Sequence, residues 1–277
     1  MIELPEAVAI AAQLNQTIRG KRIVECNTGN SPHKWVFYKP SQRKLEKLLF
    51  KKTIGEVTSV GRGIHIGLEP DQALVVDEFG GKLLYHDPGT MLPDKYHLFL
   101  KFEDDSSFTV AIQGWGFIST LKEWEQTKWT RVRANAISPA DASFRVKRFI
   151  ELCEHYEDKD KDSVKTFFTN GKSVAGIGNA YLQDILFLAK LSPKRKISDI
   201  STDEKKVLYS AVKDTIKQAI RQNGRTAERD IFDNPGKYSP IMDRQAKDKP
   251  CPNCGTKIQK INYLGGSCYI CPSCQKD

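Results

Sequence analysis

The first eighteen residues carry apolar side chains on one face of a helix. These positions are Ala7, Ile10, Ala11, Leu14 and Ile18. Their spacing is typical of an amphipathic helix, and Pro5 suits its first turn, where a backbone N–H would have no partner. Met1, Ile2 and Glu3 precede this helix. They form either a frayed tip or a terminal amine beside a carboxylate, which is a nucleophile paired with a general acid.

Between residues 21 and 122 the apolar pattern changes to that of β-strands. β-Branched and aromatic residues gather in short runs divided by turn signals such as GNSP and EDDSS. The runs are KRIVEC, WVFYK, IGEVTSVGRGIHIGL, ALVVDEF, YHLFLKFED and SFTVAI. Because no helical pattern intervenes, we predict an antiparallel sandwich or barrel with its core between sheets.

Helical patterns return after Ser138-Pro139, a dipeptide that breaks regular structure. The predicted helices are one from about Phe144 to Cys153, VKTFFT, NAYLQDILFLAK and TDEKKVLYSAVKDTIKQAIRQN. Asp162 or Ser163 would cap the second of them. The fold class is therefore α+β, with an N-terminal antiparallel β-sandwich, a leading helix, a helical domain and a cysteine-rich tail.

The length of 277 residues favours more than one domain, each able to bury a core. We predict a β-sandwich domain with its helix at 1–130, a helical domain at 131–245 and a four-cysteine segment at 246–277. The composition, 39% hydrophobic and 28% charged, is that of a globular protein. No apolar run approaches the roughly 20 residues of a membrane span, and no signal-peptide pattern opens the chain. A cytoplasmic protein is expected.

Charge narrows the classes of partner. Lys and Arg number 43 against 34 Asp and Glu, which gives a formal net charge of +9. A basic protein favours polyanionic partners, with nucleic acid first and acidic membrane surfaces second. Charge alone identifies no site.

Five of the seven cysteines lie in the C-terminal tail. Cys251 and Cys254 form one Cys-x2-Cys pair, and Cys271 and Cys274 form another, with 16 residues between the pairs. Four thiolates converging on one centre are typical of a closed structural zinc site, which has no open position for catalysis. We expect one Zn²⁺, which stabilises a hairpin too small to order itself. Cys268 is expected in a strand of that hairpin.

Three glycines, Gly171, Gly176 and Gly178, lie just before the helix predicted from Asn179. Glycine lets the backbone approach another surface closely, and the N–H groups at the helix start would face a phosphate. A plain tight connection between two helices explains the same residues. The segment alone leaves both interpretations open.

Three motifs in one order resemble the formamidopyrimidine-DNA glycosylase and endonuclease VIII family. They are ELPE at the start, VAGIGNAYLQDILF followed by SPKR, and the four-cysteine finger. The resemblance spans nearly the whole chain and implies a β-sandwich beside a helix-two-turn-helix domain that carries a zinc finger. It also implies double-stranded DNA, damaged or abasic, as the partner. We expect no membrane association, no obligate protein partner and a cytoplasmic, nucleoid-associated location.

The resemblance implies phosphate contacts near the glycine turn. Asn179 and the backbone that includes Gly176 and Gly178 would hold phosphates beside a lesion. Lys172 would add a positive charge.

The segment AIQGWGF resembles the family's loop that fills the gap left by an everted nucleotide. Trp115 would be the aromatic wedge, and Gln113 would stand where the family has an arginine facing the orphaned base. The alternative interpretation of Trp115 is an aromatic residue of the sandwich core, but Gly114 and Gly116 indicate an exposed turn.

Catalysis in this family uses the amine of the residue that follows a removed initiator Met, usually proline, with a glutamate next. Here Glu3 holds the acid position and Ile2 the nucleophile position. Initiator Met is cleaved efficiently only before small residues. If Met1 stays, the amine moves outward by about 3.5 Å, which disrupts the geometry of attack.

Other positions near the reacting sugar also depart from the family pattern. Ile64 stands in place of a phosphate-binding lysine, with Arg62 and His65 nearby as substitutes. Gly266 replaces an arginine of the finger, and Gly81 replaces a wedge methionine. The loss of a donor at such a site typically costs ~2.7–4 kcal/mol of transition-state stabilisation.

Three functions are consistent with the sequence. The first is a DNA glycosylase and abasic-site lyase that acts through its terminal amine with Glu3 as acid. The second is a non-catalytic binder of abasic, mismatched or distorted DNA. The third, a zinc-ribbon module for RNA or a protein, does not explain why three motifs occur in order.

Overall fold

The computed structural model describes residues 1–31, 33–127, 130 and 136–276. The chain divides into two compact units, Met1–Arg131 with Gln222–Lys237 and Val132–Arg221 with Tyr238–Asp277. The segment 222–237 thus groups with the sandwich, although it follows the last long helix in sequence. The division into three domains at 130 and 245 stays a prediction. Among the described residues, none of the helices has both the length and the apolar character that a bilayer span needs.

The first unit opens on helix α1 (Leu4–Thr17), as its apolar period predicts. Ile10 and Leu14 are buried in the sandwich core, so the helix packs its apolar face on the sheets. The three preceding residues are not frayed. The Ile2 side chain is 1% exposed, and its N–H donates to the Phe79 carbonyl at 3.3 Å.

Two sheets form the sandwich. The strands are β1 (Ile23–Asn27), β2 (Val36–Lys39), β3 (Ile54–Val60), β4 (Gly63–Leu68), β5 (Gln72–Asp77), β6 (Gly80–His86), β7 (Leu98–Phe102), β8 (Ser107–Gln113) and β9 (Gly116–Thr120). One sheet has the order β1-β7-β8-β6 and the other β2-β9-β5-β4-β3. Apolar residues from both sheets and from α1 form one buried cluster. The predicted sandwich is confirmed, although β2 pairs with β9 in parallel.

The prediction that no helix interrupts the strands is wrong at one place. Helix α2 (Gln42–Leu49) follows β2 and buries Leu45 and Leu49, which lie four residues apart. Leu45, Leu48 and Leu49 have the i, i+3, i+4 spacing of a helical face, but the helix has eight residues, fewer than the roughly 11 or more over which such a period is distinctive. A second short helix, α3 (Leu121–Glu125), follows β9 and buries Trp124.

The second unit contains the helices predicted for this part of the chain. They are α4 (Val146–Glu154), α5 (Val164–Thr169), α6 (Asn179–Leu188) and α7 (Thr202–Arg221). Ser163 caps α5, because its side chain accepts a hydrogen bond from the Thr166 N–H. The tail forms an antiparallel hairpin of β10 (Gln259–Tyr263) and β11 (Gly266–Ile270), with Cys268 in β11 as expected.

A buried carboxylate joins α6 to the segment before the hairpin. Asp184 is fully buried, and its oxygens accept hydrogen bonds from the Tyr238 hydroxyl at 2.7 Å and the Met242 N–H at 2.7 Å. The Ile241 N–H donates to the same carboxylate at 3.0 Å. The bonds from the Tyr238 hydroxyl and the Met242 N–H are buried, so the carboxylate satisfies donors that would otherwise be unpaired.

Replacement of Asp184 by alanine is expected to lower the free energy of unfolding by about 3 kcal/mol or more, because several buried donors lose their acceptor. Denaturant unfolding measures this loss. Asp203 is the matched control, since its side chain is 90% exposed and pairs with Lys206 on the surface. Asp203→Ala is expected to change stability by less than about 0.5 kcal/mol. Equal effects of the two variants would contradict a structural role for Asp184.

Candidate functional site

The N-terminal amine of the first unit is held by charged side chains. The Met1 nitrogen lies 3.3 Å from Glu228 Oε1. Arg225 Nη2 donates to the Met1 carbonyl at 3.0 Å and to Glu228 Oε1 at 3.1 Å. Both partners belong to the segment 222–237, and neither stood out in the sequence because they lie more than 220 residues from Met1.

The two glutamates after Ile2 are both buried, Glu3 at 5% and Glu6 at 2% exposure. The Glu6 carboxylate accepts from the Glu3 N–H at 2.9 Å, from the Arg225 N–H at 3.0 Å and from Arg225 Nε at 3.2 Å. Gly224 makes this approach possible, because its φ is +83° and a Cβ there would lie 2.6 Å from Glu6 Cγ. Glu6 therefore has a structural role at the start of α1, and Glu3 is the carboxylate next to Ile2 in the chain.

The residue at position 64 is uncharged and supplies no cation to the site at the N-terminus. Ile64 is fully buried and belongs to the sandwich core. Of the two nearby substitutes, Arg62 lies at the terminus and donates from Nη1 to the Met1 Sδ at 3.5 Å. His65 is half-buried, and desolvation by burial lowers its pKa to about 4. Its imidazole is thus neutral at pH 7, and Arg62 alone of the two keeps a positive charge.

The turn between β8 and β9 carries Gln113 and Trp115. Gln113 is exposed at the end of β8. A Cβ added to Gly80 would lie 3.2 Å from the Gln113 carbonyl oxygen and 3.6 Å from the Met1 nitrogen. The sequence-predicted Gln113 and Met1 therefore both adjoin Gly80. At Gly81, φ is +125° and a Cβ would lie 2.0 Å from the Ala111 carbonyl oxygen, so this backbone excludes a wedge side chain there.

Trp115 packs outside the main sandwich core. Its ring centroid lies 4.7 Å from that of Phe37, 5.4 Å from that of Phe117 and 6.2 Å from that of Trp35. Trp115, Phe37 and Phe117 belong to a separate apolar cluster that also contains Trp124. Trp115 is half-buried, so part of its indole is exposed at the turn while the neighbouring aromatic rings hold it in place.

In the second unit, the glycine turn leads into α6. Gly176 has φ +79° and Gly178 is the N-cap of the helix. Asn179 Nδ2 donates to the Ser267 carbonyl at 3.0 Å, which ties the helix start to the hairpin. Its buried Oδ1 lacks a hydrogen-bond partner among the described residues. Lys172 is exposed and lies 3.5 Å from Asp158.

A buried lysine adjoins the hairpin and was missed by the sequence reasoning. Lys165 of α5 is 4% exposed, and its Nζ donates to the Tyr263 carbonyl at 2.8 Å and to Cys268 Sγ at 3.3 Å. A Cβ at Gly266 would lie 3.3 Å from that Nζ and 3.9 Å from Asn179 Nδ2. The available signal was a lysine among the apolar residues Val164, Phe167 and Phe168 of the short helix VKTFFT.

The four predicted metal ligands converge in the tail. The Sγ atoms of Cys251, Cys254, Cys271 and Cys274 all lie within 4.8 Å of one another. The Cys251–Cys274 and Cys254–Cys271 separations are 3.9 Å and 3.4 Å. A tetrahedral ion with metal–sulfur bonds near 2.3 Å places its sulfurs about 3.8 Å apart. The donor set therefore fits one metal ion, and Cys268 lies outside it.

Comparison with known protein families identifies the class of protein that carries this fold. Residues 1–144 match the formamidopyrimidine-DNA glycosylase N-terminal domain, and residues 136–230 match the formamidopyrimidine-DNA glycosylase H2TH domain. The chain belongs to the formamidopyrimidine-DNA glycosylase family. The family resemblance and the predicted fold class are both confirmed.

Individual relatives match over the full length of the chain. The formamidopyrimidine-DNA glycosylase of Listeria monocytogenes is 25% identical, with 100% of both chains covered. The protein of the same name from Geotalea daltonii is 26% identical over 100% of both chains. Among solved structures, the Lactococcus lactis Fpg bound to abasic-site DNA has a TM-score of 0.85 at 22% identity, and covers 99% of this chain and 100% of that one. At this identity the structural likeness shows the fold.

Proposed function

We propose that this protein binds double-stranded DNA at abasic or base-damaged sites with an everted nucleotide, and that it does so without cutting the strand. Family membership and the fold shared with a DNA-bound relative support the binding part of the proposal. The burial of the Ile2 side chain and the pairing of the Met1 nitrogen with Glu228 support the absence of strand cleavage, and they are the observations that carry the proposal.

Two features of the terminus oppose amine catalysis. The Ile2 side chain is buried in the sandwich core, and its bulk favours retention of Met1. The Met1 amine is then the only terminal amine, and it forms an ion pair with Glu228. Retention of Met1 would place this amine about 3.5 Å outward from the position that the family resemblance implies for the nucleophile. With Met1 retained, the nitrogen of Ile2 is an amide and is not nucleophilic.

DNA contacts are proposed for each unit separately. In the first unit, Trp115 stacks in the gap left by the everted nucleotide, Gln113 faces the orphaned base, and Arg62 supplies a phosphate contact. His65, neutral at pH 7, contributes no charge. In the second unit, Asn179 and the backbone at Gly176 and Gly178 hold phosphates, with Lys172 as a surface cation.

A second candidate function is glycosylase and abasic-site lyase activity through the terminal amine. Its support is that the Met1 nitrogen pairs with Glu228 and the Met1 carbonyl accepts from Arg225, with the buried Glu3 carboxylate two residues away as a candidate acid. In this reaction a neutral Met1 amine attacks C1′, the base leaves, and elimination from the imine cuts the strand. The two candidates differ in whether a covalent intermediate forms.

Lys165 offers a positive charge at the place where the family resemblance implies an arginine and this chain has Gly266. Its ammonium lies 3.3 Å from the position where a side chain at 266 would begin, beside Asn179. Because the glycine leaves this space open, a phosphate held by Asn179 would meet the lysine charge. We propose Lys165 as the phosphate-binding cation of the hairpin.

The four cysteines are proposed to hold Zn²⁺. Four thiolates in a tetrahedral arrangement suit zinc, which has no preferred geometry of its own and binds sulfur well. The ion would stabilise the hairpin that carries Gly266 and Ser267 and would take no part in chemistry.

Borohydride trapping tests strand cleavage. The full chain is incubated with abasic-site duplex and borohydride, and intact mass gives the state of Met1. We expect Met1 to be retained, no covalent adduct to form, and abasic duplex to bind more tightly than intact duplex. An adduct would establish the lyase function and overturn the non-catalytic one. Equal affinity for abasic and intact duplex would contradict damage recognition and favour a zinc-ribbon module for RNA or a protein.

Lys165→Met is expected to weaken binding of abasic duplex and to reduce the salt dependence of the binding constant by about one phosphate contact. The matched variant Lys165→Met with Gly266→Arg restores a cation at the same place and is expected to recover affinity. Fluorescence anisotropy over a range of salt concentrations measures both. An unchanged salt slope in Lys165→Met would show that this lysine only supports the hairpin.

Metal analysis tests the cysteine site. We expect about one zinc per chain by plasma mass spectrometry, and its loss in Cys254→Ser. Cys268→Ser, which changes a cysteine of the same hairpin outside the ligand set, is expected to keep the metal. Prolonged chelation is expected to make the tail sensitive to protease, because the ion stabilises it. Retention of zinc by Cys254→Ser would contradict the assigned ligands.

A further inference from the structure

A second tryptophan lies beside the turn that carries Trp115. Trp35 is 46% exposed, and its ring centroid lies 6.2 Å from that of Trp115 with 40° between the planes. The Gly116 N–H donates to the Trp35 carbonyl at 3.0 Å, which fixes the two residues relative to each other. The exposed indole is therefore part of the same surface as the turn.

Contacts of the residues before and after Trp35 in the sequence fix its position. Its own N–H donates to His33 Nδ1 at 3.3 Å, and strand β2 begins at the next residue and pairs with β9. Phe37, two residues further along, packs on Trp115 at a centroid distance of 4.7 Å. The indole is presented by ordered backbone and stands at the exposed edge of the aromatic cluster.

The surroundings of the exposed ring select the chemistry of its partner. A large indole that remains half in water at the edge of an aromatic cluster offers a flat apolar surface for stacking. Lys34 Nζ lies 5.2 Å from the Trp35 ring centroid, which places a positive charge over the same ring. A flat aromatic group attached to an anionic backbone satisfies both features, and an unpaired nucleobase is such a group.

We propose that Trp35 is a stacking surface for an unpaired nucleobase, with Lys34 pairing with the phosphate of that nucleotide. The proposal rests on the proposed DNA-binding function and adds a specificity-determining residue to it. Trp115 fills the gap left by the everted nucleotide, and Trp35 receives a base that the opening of the duplex has left without a partner.

The distance between the two indoles decides where the base stacks. A base held between two parallel rings needs about twice the stacking distance of roughly 3.4 Å. The 6.2 Å between the Trp35 and Trp115 centroids is shorter than this, and the rings are tilted. The base therefore stacks on the solvent-facing side of Trp35, and the two tryptophans act as separate surfaces.

Three oligonucleotides separate this role from a purely structural one. The first is a duplex with an abasic analogue opposite 2-aminopurine, a fluorescent base. The second has abasic analogues in both strands at that step, so that no unpaired base is present. The third is a single-stranded oligonucleotide that contains 2-aminopurine. Affinity and 2-aminopurine fluorescence are measured with the full chain.

Trp35→Ala is expected to weaken binding of the first duplex by about 5- to 150-fold, the range for one base–aromatic stack, and to leave the second duplex unchanged. Wild-type protein is expected to quench 2-aminopurine, Trp35→Ala to lose the quenching, and Trp35→Phe to keep part of it. Phe50→Ala is the matched control, because Phe50 is 47% exposed and also has a lysine ammonium 5.2 Å from its ring centroid.

An equal loss of affinity for both duplexes would overturn the proposal, because it would mean that Trp35 only braces Trp115. An unchanged affinity and unchanged quenching in Trp35→Ala would overturn it as well and would favour a protein side chain as the occupant. If wild-type protein shows no preference for abasic duplex but quenches the single strand through Trp35, the proposed damage recognition fails and the stacking surface stands.

Discussion

The buried ion pair between Glu6 and Arg225 is the interaction on which the first unit depends. Glu6 is 2% exposed, and a carboxylate removed from water is stable only when it is paired and fully hydrogen-bonded. Arg225 supplies the charge, and its guanidinium reaches on to the Met1 carbonyl and to Glu228. One pair therefore anchors the start of α1, the segment 222–237 and the terminal amine together. The first residues of the chain are held through this pair.

Much of the fold could be predicted because it follows from local pattern. The period of α1, the strand runs and helices α4 to α7 all have signals within a few residues of the sequence. The spacing of the four cysteines likewise predicts a metal site. By contrast, Glu6 and Arg225 lie 219 residues apart, and Lys165 meets Cys268 across 103 residues. A local sequence pattern cannot predict such pairs, because only the tertiary fold brings the two residues together. The short helix α2 was missed for a different reason, since its eight residues are too few for their helical spacing to be distinctive among strands.

The substitutions around the family's reaction centre have one physical direction. The family resemblance implies an amine at position 2 and a lysine at position 64, and the side chains of Ile2 and Ile64 are both buried in the sandwich core. The backbone at Gly81 leaves no space for any side chain. Ile2 and Ile64 contribute apolar packing, which stabilises the sandwich by roughly 1.5–3 kcal/mol per buried aliphatic side chain.

Each unit still has a positively charged side chain with which to bind an anion. Arg62 keeps a positive charge beside Met1, whereas His65 is neutral because burial lowers its pKa to about 4. In the second unit, Lys165 lies against the space that Gly266 leaves open, and Asn179 adjoins both. Binding of a phosphate needs only a placed charge and donors, whereas cleavage also needs an amine free of its proton and within bonding distance of C1′. Charge can be supplied from a neighbouring element, as Lys165 shows by geometry. Under the proposed retention of Met1 the amine has no such substitute, and this is why we propose binding without cleavage.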